Sequence, residues 1–154
     1  MLAKQSKRIA IIGARETNDD ALDFAFNVGK LLAERGVIVY SGGAGGIMEA
    51  ACKGVQAGKG IAVGILKEQD LNLANDYISI PVMTGMGDLR NAIIIRSVQG
   101  AIAIDGAYGT LSEIAYTLGY NKPVVTYKSW DIPGVEHAET PEAAVDLILS
   151  LISE

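Results

Sequence analysis

The chain has 154 residues, 49% hydrophobic and 20% charged, with a formal net charge of −5 and no long basic run. It is long enough for one domain with a sizeable core and too apolar for a disordered segment, and its charge argues against a nucleic-acid-binding face. One cysteine, Cys52, excludes an intrachain disulfide and a thiolate zinc cluster; one histidine, His137, leaves little room for Ser-His-Asp chemistry or a catalytic metal, and no metal site is expected. No stretch reads as a transmembrane helix, and Met1–Arg8 carries charge without an apolar run. The expectation is a cytoplasmic protein with a ragged N-terminus and no membrane partner.

In chain order, the run Ile9-Ala10-Ile11-Ile12, ended by Gly13, reads as a buried parallel strand. Asp19 or Asp20 caps a helix to about Arg35, with Leu22, Phe26, Gly29 and Ala33 on its inner side and Gly36 at its end. Val37–Tyr40 is a second strand. It enters the loop Ser41-Gly42-Gly43-Ala44-Gly45-Gly46, and a helix follows from about Gly46 to Ala57. Ile61–Ile65 is a third strand, residues 67–76 are loop, and Tyr77–Pro81 is a fourth strand with Pro81 at its end or on a sheet edge.

A helix over Asp88–Val98 is unusually apolar at Ile93-Ile94-Ile95. The strand Ala101–Ile104 then enters a second glycine loop, Asp105-Gly106-Ala107-Tyr108-Gly109-Thr110, and a helix runs to about Leu118. Pro123–Thr126 is the last strand. Thr140-Pro141-Glu142 starts the last helix, to about Ile152, with a capping threonine and proline at its first position. Strand and helix alternate throughout, so the sheet is mostly parallel with helices on both faces. His137 falls in a solvated loop, and Cys52 in an apolar helix is a small core residue.

Two strand–glycine–helix junctions suggest one pocket built from two helix N-termini, where free N–H groups and the helix dipole favour an anion. Neither loop matches a P-loop or a G-x-G-x-x-G dinucleotide fingerprint. Glu113 has two readings. Thr110-Leu111-Ser112-Glu113 is a T-x-x-E capping box, in which the carboxylate secures the helix start. The same carboxylate beside a phosphate loop could hold ribose hydroxyls or stabilise an oxocarbenium-like transition state. Arg90, in Gly85-Met86-Gly87-Asp88-Leu89-Arg90-Asn91, is suited to a phosphate or carboxylate; its alternative is a surface pair with Asp88. Arg96 is read as packing or a subunit contact.

Ser41-Gly42-Gly43-Ala44-Gly45-Gly46-Ile47-Met48 resembles the G-G-G-x-x-G-L-M segment of the LOG family, the "lysine decarboxylase-like" proteins. Gly106-Ala107-Tyr108-Gly109-Thr110-Leu111-Ser112-Glu113 is similar to its P-G-G-x-G-T-x-x-E motif, and Arg90-Asn91 stands where that family has an arginine–lysine pair. The resemblance covers about residues 7–125. It implies a Rossmann-like domain over residues 1–154 that binds a nucleotide or similar phosphorylated ligand. The implied site is Gly13, Ser41, Gly42, Gly43, Ala44, Gly45, Gly46, Met86, Asp105, Gly106, Ala107, Tyr108, Gly109 and Thr110 with Arg90 and Glu113, the last two being the catalytic pair if the protein is a phosphoribohydrolase.

Asp105 replaces the family proline, Ala107 a glycine and Asn91 the lysine. These departures resemble a sister group that includes the molybdenum cofactor carrier proteins, which bind a phosphate-bearing pterin without turning it over. The leading expectation is therefore a binding or carrier protein. The alternatives are a nucleoside 5′-monophosphate phosphoribohydrolase and a nucleotide-sensing module that works with a partner. No lysine has a context for pyridoxal phosphate. A homodimer or homotetramer is expected from the apolar surface of the Ile93–Ile95 helix and of the helix with Tyr116 and Tyr120.

Overall fold

Apolar runs too short for helices and bounded by glycine or polar loops form one seven-stranded sheet. A computed structural model describes residues 6–152, so the ragged start expected of residues 1–5 lies outside it. The strands are β1 (Arg8–Gly13), β2 (Ile38–Ser41), β3 (Ala62–Leu66), β4 (Ile80–Met83), β5 (Gly100–Ile104), β6 (Val124–Tyr127) and β7 (Glu136–His137). Their order is β4-β3-β2-β1-β5-β6-β7. Every neighbouring pair is parallel. The helices are α1 (Asp19–Glu34), α2 (Ile47–Ala57), α3 (Arg90–Arg96), α4 (Tyr108–Gly119) and α5 (Pro141–Ile152). The fold is Rossmann-like, as expected.

Side-chain alternation along β1 divides the core. Ile9 and Ile11 pack with α1, α2 and α5 on one face. Ala10 and Ile12 pack with Ile94 and Ile95 of α3 and Ile114 of α4 on the other. The chain leaves β1 toward β2 and returns after β4 to β5 on β1's other side. The carboxyl ends of β1 and β5, where Gly13 pairs with Ile104, thus flank the topological switch point where such sheets hold ligands.

Several local expectations are corrected. Asn18, not Asp19 or Asp20, caps α1: its side chain accepts from the Ala21 amide at 2.9 Å. The inner face of α1 is Ala21, Phe24, Ala25, Val28, Gly29, Leu32 and Ala33, whereas Leu22 and Phe26 are only half-buried. Small residues set this phase because α1 and α2 touch backbone to backbone. A Cβ on Gly54 would lie 1.9 Å from the Phe26 carbonyl oxygen, and one on Gly29 would lie 2.2 Å from that of Ala51.

Pro81 sits inside β4 rather than ending it. β4 is an edge strand, paired only with β3, so the missing N–H costs no ladder bond on the open side. Pro123–Thr126 is not the last strand. Glu136 and His137 add β7 beyond it, and His137 is tied to Thr126 (Nδ1–Oγ1, 2.8 Å) and Asp131 (Nε2–Oδ1, 3.2 Å) rather than free in a loop. Thr140 caps α5 as expected, accepting from the Ala143 amide at 3.1 Å. Cys52 is fully buried beside Ser41, and burial pushes its thiol pKa up. No helix among the described residues is long and apolar enough to cross a membrane.

Candidate functional site

At the switch point lies a cleft of about 510 Å³. Its wall combines the β1–α1 loop (Gly13, Ala14, Arg15, Glu16), the start of α4 (Ala107, Gly109, Thr110, Glu113) and Arg90 and Asn91 of α3, with Met48, Lys67 and Asp88 at the margin. Gly13 must be glycine, since a Cβ there would lie 2.3 Å from the Ile104 carbonyl oxygen.

The second glycine loop leads into the open start of α4. Ala107 occupies the cap position of α4 and no side chain caps it. The N–H groups of Ala107, Tyr108, Gly109 and Thr110 make no hydrogen bond among the described residues. Four unpaired donors thus stand at the positive end of a twelve-residue helix, and three of their residues, Ala107, Gly109 and Thr110, line the cleft. Gly106 makes the turn at φ 123°, where a Cβ would also run into Thr110 at 2.5 Å.

The first glycine loop has a different role. β2 is one strand removed from the switch point, and Ser41, Gly42, Gly43, Ala44, Gly45 and Gly46 do not line the cleft. Part of the loop serves the scaffold. The Gly42 carbonyl accepts from Arg90, the Gly43 carbonyl from the Asn75 amide (2.9 Å) and the Ala44 carbonyl from Asn75 Nδ2 (3.0 Å). The Gly43 amide donates to Ser41 Oγ at 3.1 Å. The Ile47 amide, at the start of α2, donates to the Ala14 carbonyl at 3.0 Å. At the N-terminus of α2, Met48 lines the cleft, and the amides of Gly45, Gly46, Met48 and Glu49 make no hydrogen bond among the described residues. Met86 is exposed and stands outside the cleft.

Arg90 is not a surface residue paired with Asp88, which lies 3.7 Å from Lys67 instead. It is buried, and Nη1 donates to the Gly42 carbonyl (2.6 Å) and the Ile65 carbonyl (2.7 Å). Nε donates to Asn91 Oδ1 at 2.8 Å, leaving Nη2 unbonded at the cleft. Asn91, where the LOG pattern has lysine, also donates to Ser112 Oγ at 3.2 Å and so braces α3 against α4. Burial lowers the Arg90 pKa, partly offset by Glu113.

Glu113 is not part of a capping box. The helix starts at Tyr108, so Thr110 is inside it and Glu113 is more than a turn from the cap. Its side chain is largely buried and makes no hydrogen bond among the described residues, but its oxygens are not fully enclosed and the residue lines the cleft. Burial pushes its pKa up to about 8, against the pull of Arg90. At neutral pH it is mostly a carboxylic acid. The cleft then holds three cations, Arg15, Lys67 and Arg90, against two carboxylates, Glu16 and Asp88.

Asp105 has φ 52°. Its amide donates to the Tyr127 carbonyl at 3.0 Å and its carbonyl accepts from Ser129 Oγ at 2.6 Å. Proline could neither adopt this φ nor donate this bond, so replacing the family proline goes with a different backbone. The Asp105 carboxylate accepts from the Thr17 hydroxyl, linking the β5–α4 loop to the β1–α1 loop, and it does not line the cleft. Tyr108 is 81% exposed, its ring lies 5.9 Å from that of Trp130, and it does not line the cleft.

The sequence reading missed Ala14, Arg15, Glu16, Met48, Lys67 and Asp88. The available signal was position: Arg15 and Lys67 closely follow the carboxyl ends of β1 and β3.

A family model described as the SLOG cluster4 family matches residues 6–150. The chain belongs to the SLOG cluster4 family. It is 41% identical over 144 residues to an uncharacterised Archaeoglobus fulgidus protein, covering 93% of this chain and 95% of that one. It is 33% identical over 93 residues to LOGL5 of Oryza sativa, a probable cytokinin riboside 5′-monophosphate phosphoribohydrolase, covering 58% of this chain and 38% of the rice protein. Among solved structures, the molybdenum cofactor binding protein of Rippkaea orientalis superposes with a TM-score of 0.91 at 30% identity, covering 97% of this chain and 99% of that one. The Moco carrier protein of Chlamydomonas reinhardtii does so with a TM-score of 0.87 at 27% identity, with the same coverages. This SLOG cluster4 chain is thus LOG-like in sequence and similar in structure to molybdenum cofactor binding proteins over nearly its whole length.

Proposed function

We propose that this protein binds a phosphorylated small molecule as a carrier, with the phosphate at the N-terminus of α4. The ligand class is a nucleotide or a pterin phosphate such as the molybdenum cofactor. The observation that carries this reading is the set of four unpaired N–H groups, Ala107 to Thr110, at a cleft with one excess positive charge. Gly13 and Met48 line the approach, and Arg90 Nη2 and the Glu113 carboxyl are the remaining ligand contacts. Asp105 and the first glycine loop hold this arrangement in shape.

The departures from the LOG pattern at Asp105 and Asn91 favour carriage over hydrolysis. A raised pKa at Glu113 does not itself decide between them, since glycosidic cleavage also uses a protonated carboxyl as general acid. A protonated Glu113 donates a hydrogen bond and repels no phosphate. The likeness to LOGL5, with Arg90 and Glu113 retained, supports the hydrolase as the second reading. Incubation with common nucleoside monophosphates, followed by calorimetry and by assay of free base, separates them. Binding without base release is expected; multiple-turnover release would overturn the carrier reading.

A homo-oligomer belongs to the same proposal, and of the two surfaces expected for it the one with Tyr116 and Tyr120 is exposed. Ile94 and Ile95 are fully buried in the core, so α3 offers no apolar face. The exposed large apolar residues include Ile80, Val82 and Met83 on β4, Met86 and Leu89 after it, Tyr116 on α4 and Tyr120 just past its end. Light scattering is expected to give a multiple of the chain mass; a monomer at micromolar concentration would contradict this.

A further inference from the structure

Beside the cleft, on the other side of Arg15, lies a second cavity of about 590 Å³. It opens between α1 and α2, with Phe26 and Leu22 on one side, Glu49 and Lys53 on another, and Tyr77 across them. Arg15 lines both cavities, and its guanidinium has no hydrogen bond or ion pair among the described residues. Its backbone is fixed: the Ala14 carbonyl accepts from the Ile47 amide, and the Arg15 carbonyl lies where a Cβ on Gly46 would be, 2.3 Å away. That close approach also gives Gly46, at φ 66°, a specific reason to be glycine.

The two cavities differ in charge. Arg15 aside, since it lines both, the cleft balances Lys67 and Arg90 against Glu16 and Asp88 while Glu113 is protonated. The second cavity sets Lys53 against Asp23 and Glu49, and its apolar wall includes two half-buried aromatic rings. An acidic, aromatic-walled space suits a neutral planar group with amino and ring N–H donors, which carboxylates accept. It does not suit a second phosphate at its centre. A free guanidinium between the two spaces suits a bridging phosphate. Each volume lies within the roughly 300–1,000 Å³ of small-molecule sites.

We infer that the ligand is of dinucleotide type: one half lies in the α4 cleft, a pyrophosphate passes Arg15, and a base occupies the cavity between α1 and α2. This rests on the proposed phosphate site but reaches residues that no part of that reading uses.

The test compares AMP and GMP with P1,P2-diadenosine and P1,P2-diguanosine diphosphates by calorimetry, in wild type, Tyr77→Ala and Arg15→Ala. At least one dinucleotide is expected to bind tenfold or more tighter than its mononucleotide. Tyr77→Ala should remove most of that advantage and leave the mononucleotide affinity unchanged, while Arg15→Ala should weaken the dinucleotide more than the mononucleotide. Circular dichroism melting of the variants confirms that they are folded. If mononucleotides bind but dinucleotides bind no tighter, or if Tyr77→Ala weakens both alike, the inference falls and the phosphate site stands. A dinucleotide that binds through Tyr77 while Arg90→Lys and Glu113→Gln leave its affinity untouched would overturn the α4 site and, with it, the bridging inference. Failure of all four probes to bind overturns the inference.

Discussion

Arg90→Ala is expected to lower both ligand affinity and fold stability, and by more than any other single change in the cleft. Nη1 satisfies two buried carbonyls, those of Gly42 and Ile65, and Nε holds Asn91. Each carbonyl left unpaired costs about 1–3 kcal/mol, so a loss of roughly 2–6 kcal/mol in urea unfolding is expected. Phosphorylated-ligand affinity should fall more than tenfold, on the order of 1.4 kcal/mol or more. Arg90→Lys separates the two effects. An ammonium keeps the charge and can reach one carbonyl, but has no second fork for the ligand. It should unfold less readily than the alanine variant and still bind at least tenfold more weakly than wild type. Affinity equal to wild type in a folded Arg90→Lys would make Arg90 a scaffold residue alone.

Glu113→Gln is expected to leave stability close to that of wild type at pH 5 and to raise it at pH 9. The folded carboxyl titrates at about 8, above its ordinary 4.5, so the folded state holds the proton more tightly than the unfolded chain. The stability this gives is complete below about pH 4.5 and is lost as pH rises to about 8. Glutamine imitates the protonated form and does not titrate. Wild type and variant should therefore be close at pH 5, and the variant should be the more stable at pH 9. Each pH unit of the window is worth about 1.4 kcal/mol, so the difference at pH 9 is on the order of a few kcal/mol. Phosphate affinity of the wild type should fall by about tenfold as pH rises through 8, because a new carboxylate then faces the anion; the variant should stay flat. Parallel stability curves from pH 5 to 9 would show that Glu113 titrates as an ordinary carboxylate.

What could be read from the chain follows from which signals are local. β1 and β5 are apolar runs ended by glycine or a glycine loop, and both were legible. So was the α4 junction, because glycine at Gly106 and an uncapped helix start leave marks in sequence. The phase of α1 was not. Its burial depends on Gly29 and Gly54 allowing backbone contact, and small residues carry little hydrophobic signal. β7 has two exposed residues, Glu136 and His137, and no apolar pattern to reveal it. The first glycine loop looked like a phosphate loop because glycine is needed wherever the backbone is approached closely. Here the groups that approach are Arg90 and the β1–α1 loop. The protonation of Glu113 was also hidden, since it depends on burial by distant elements rather than on the residues beside it.

The central claim is that phosphate binds at the start of α4, and amide-resolved NMR during titration with a nucleoside monophosphate tests it most directly. The account predicts that the largest shifts fall on the amides of Ala107, Tyr108, Gly109 and Thr110 and on the Arg90 guanidinium, saturating together. Saturable shifts confined to the Gly42–Gly45 loop or to remote surface, with the α4 amides unmoved, would contradict it.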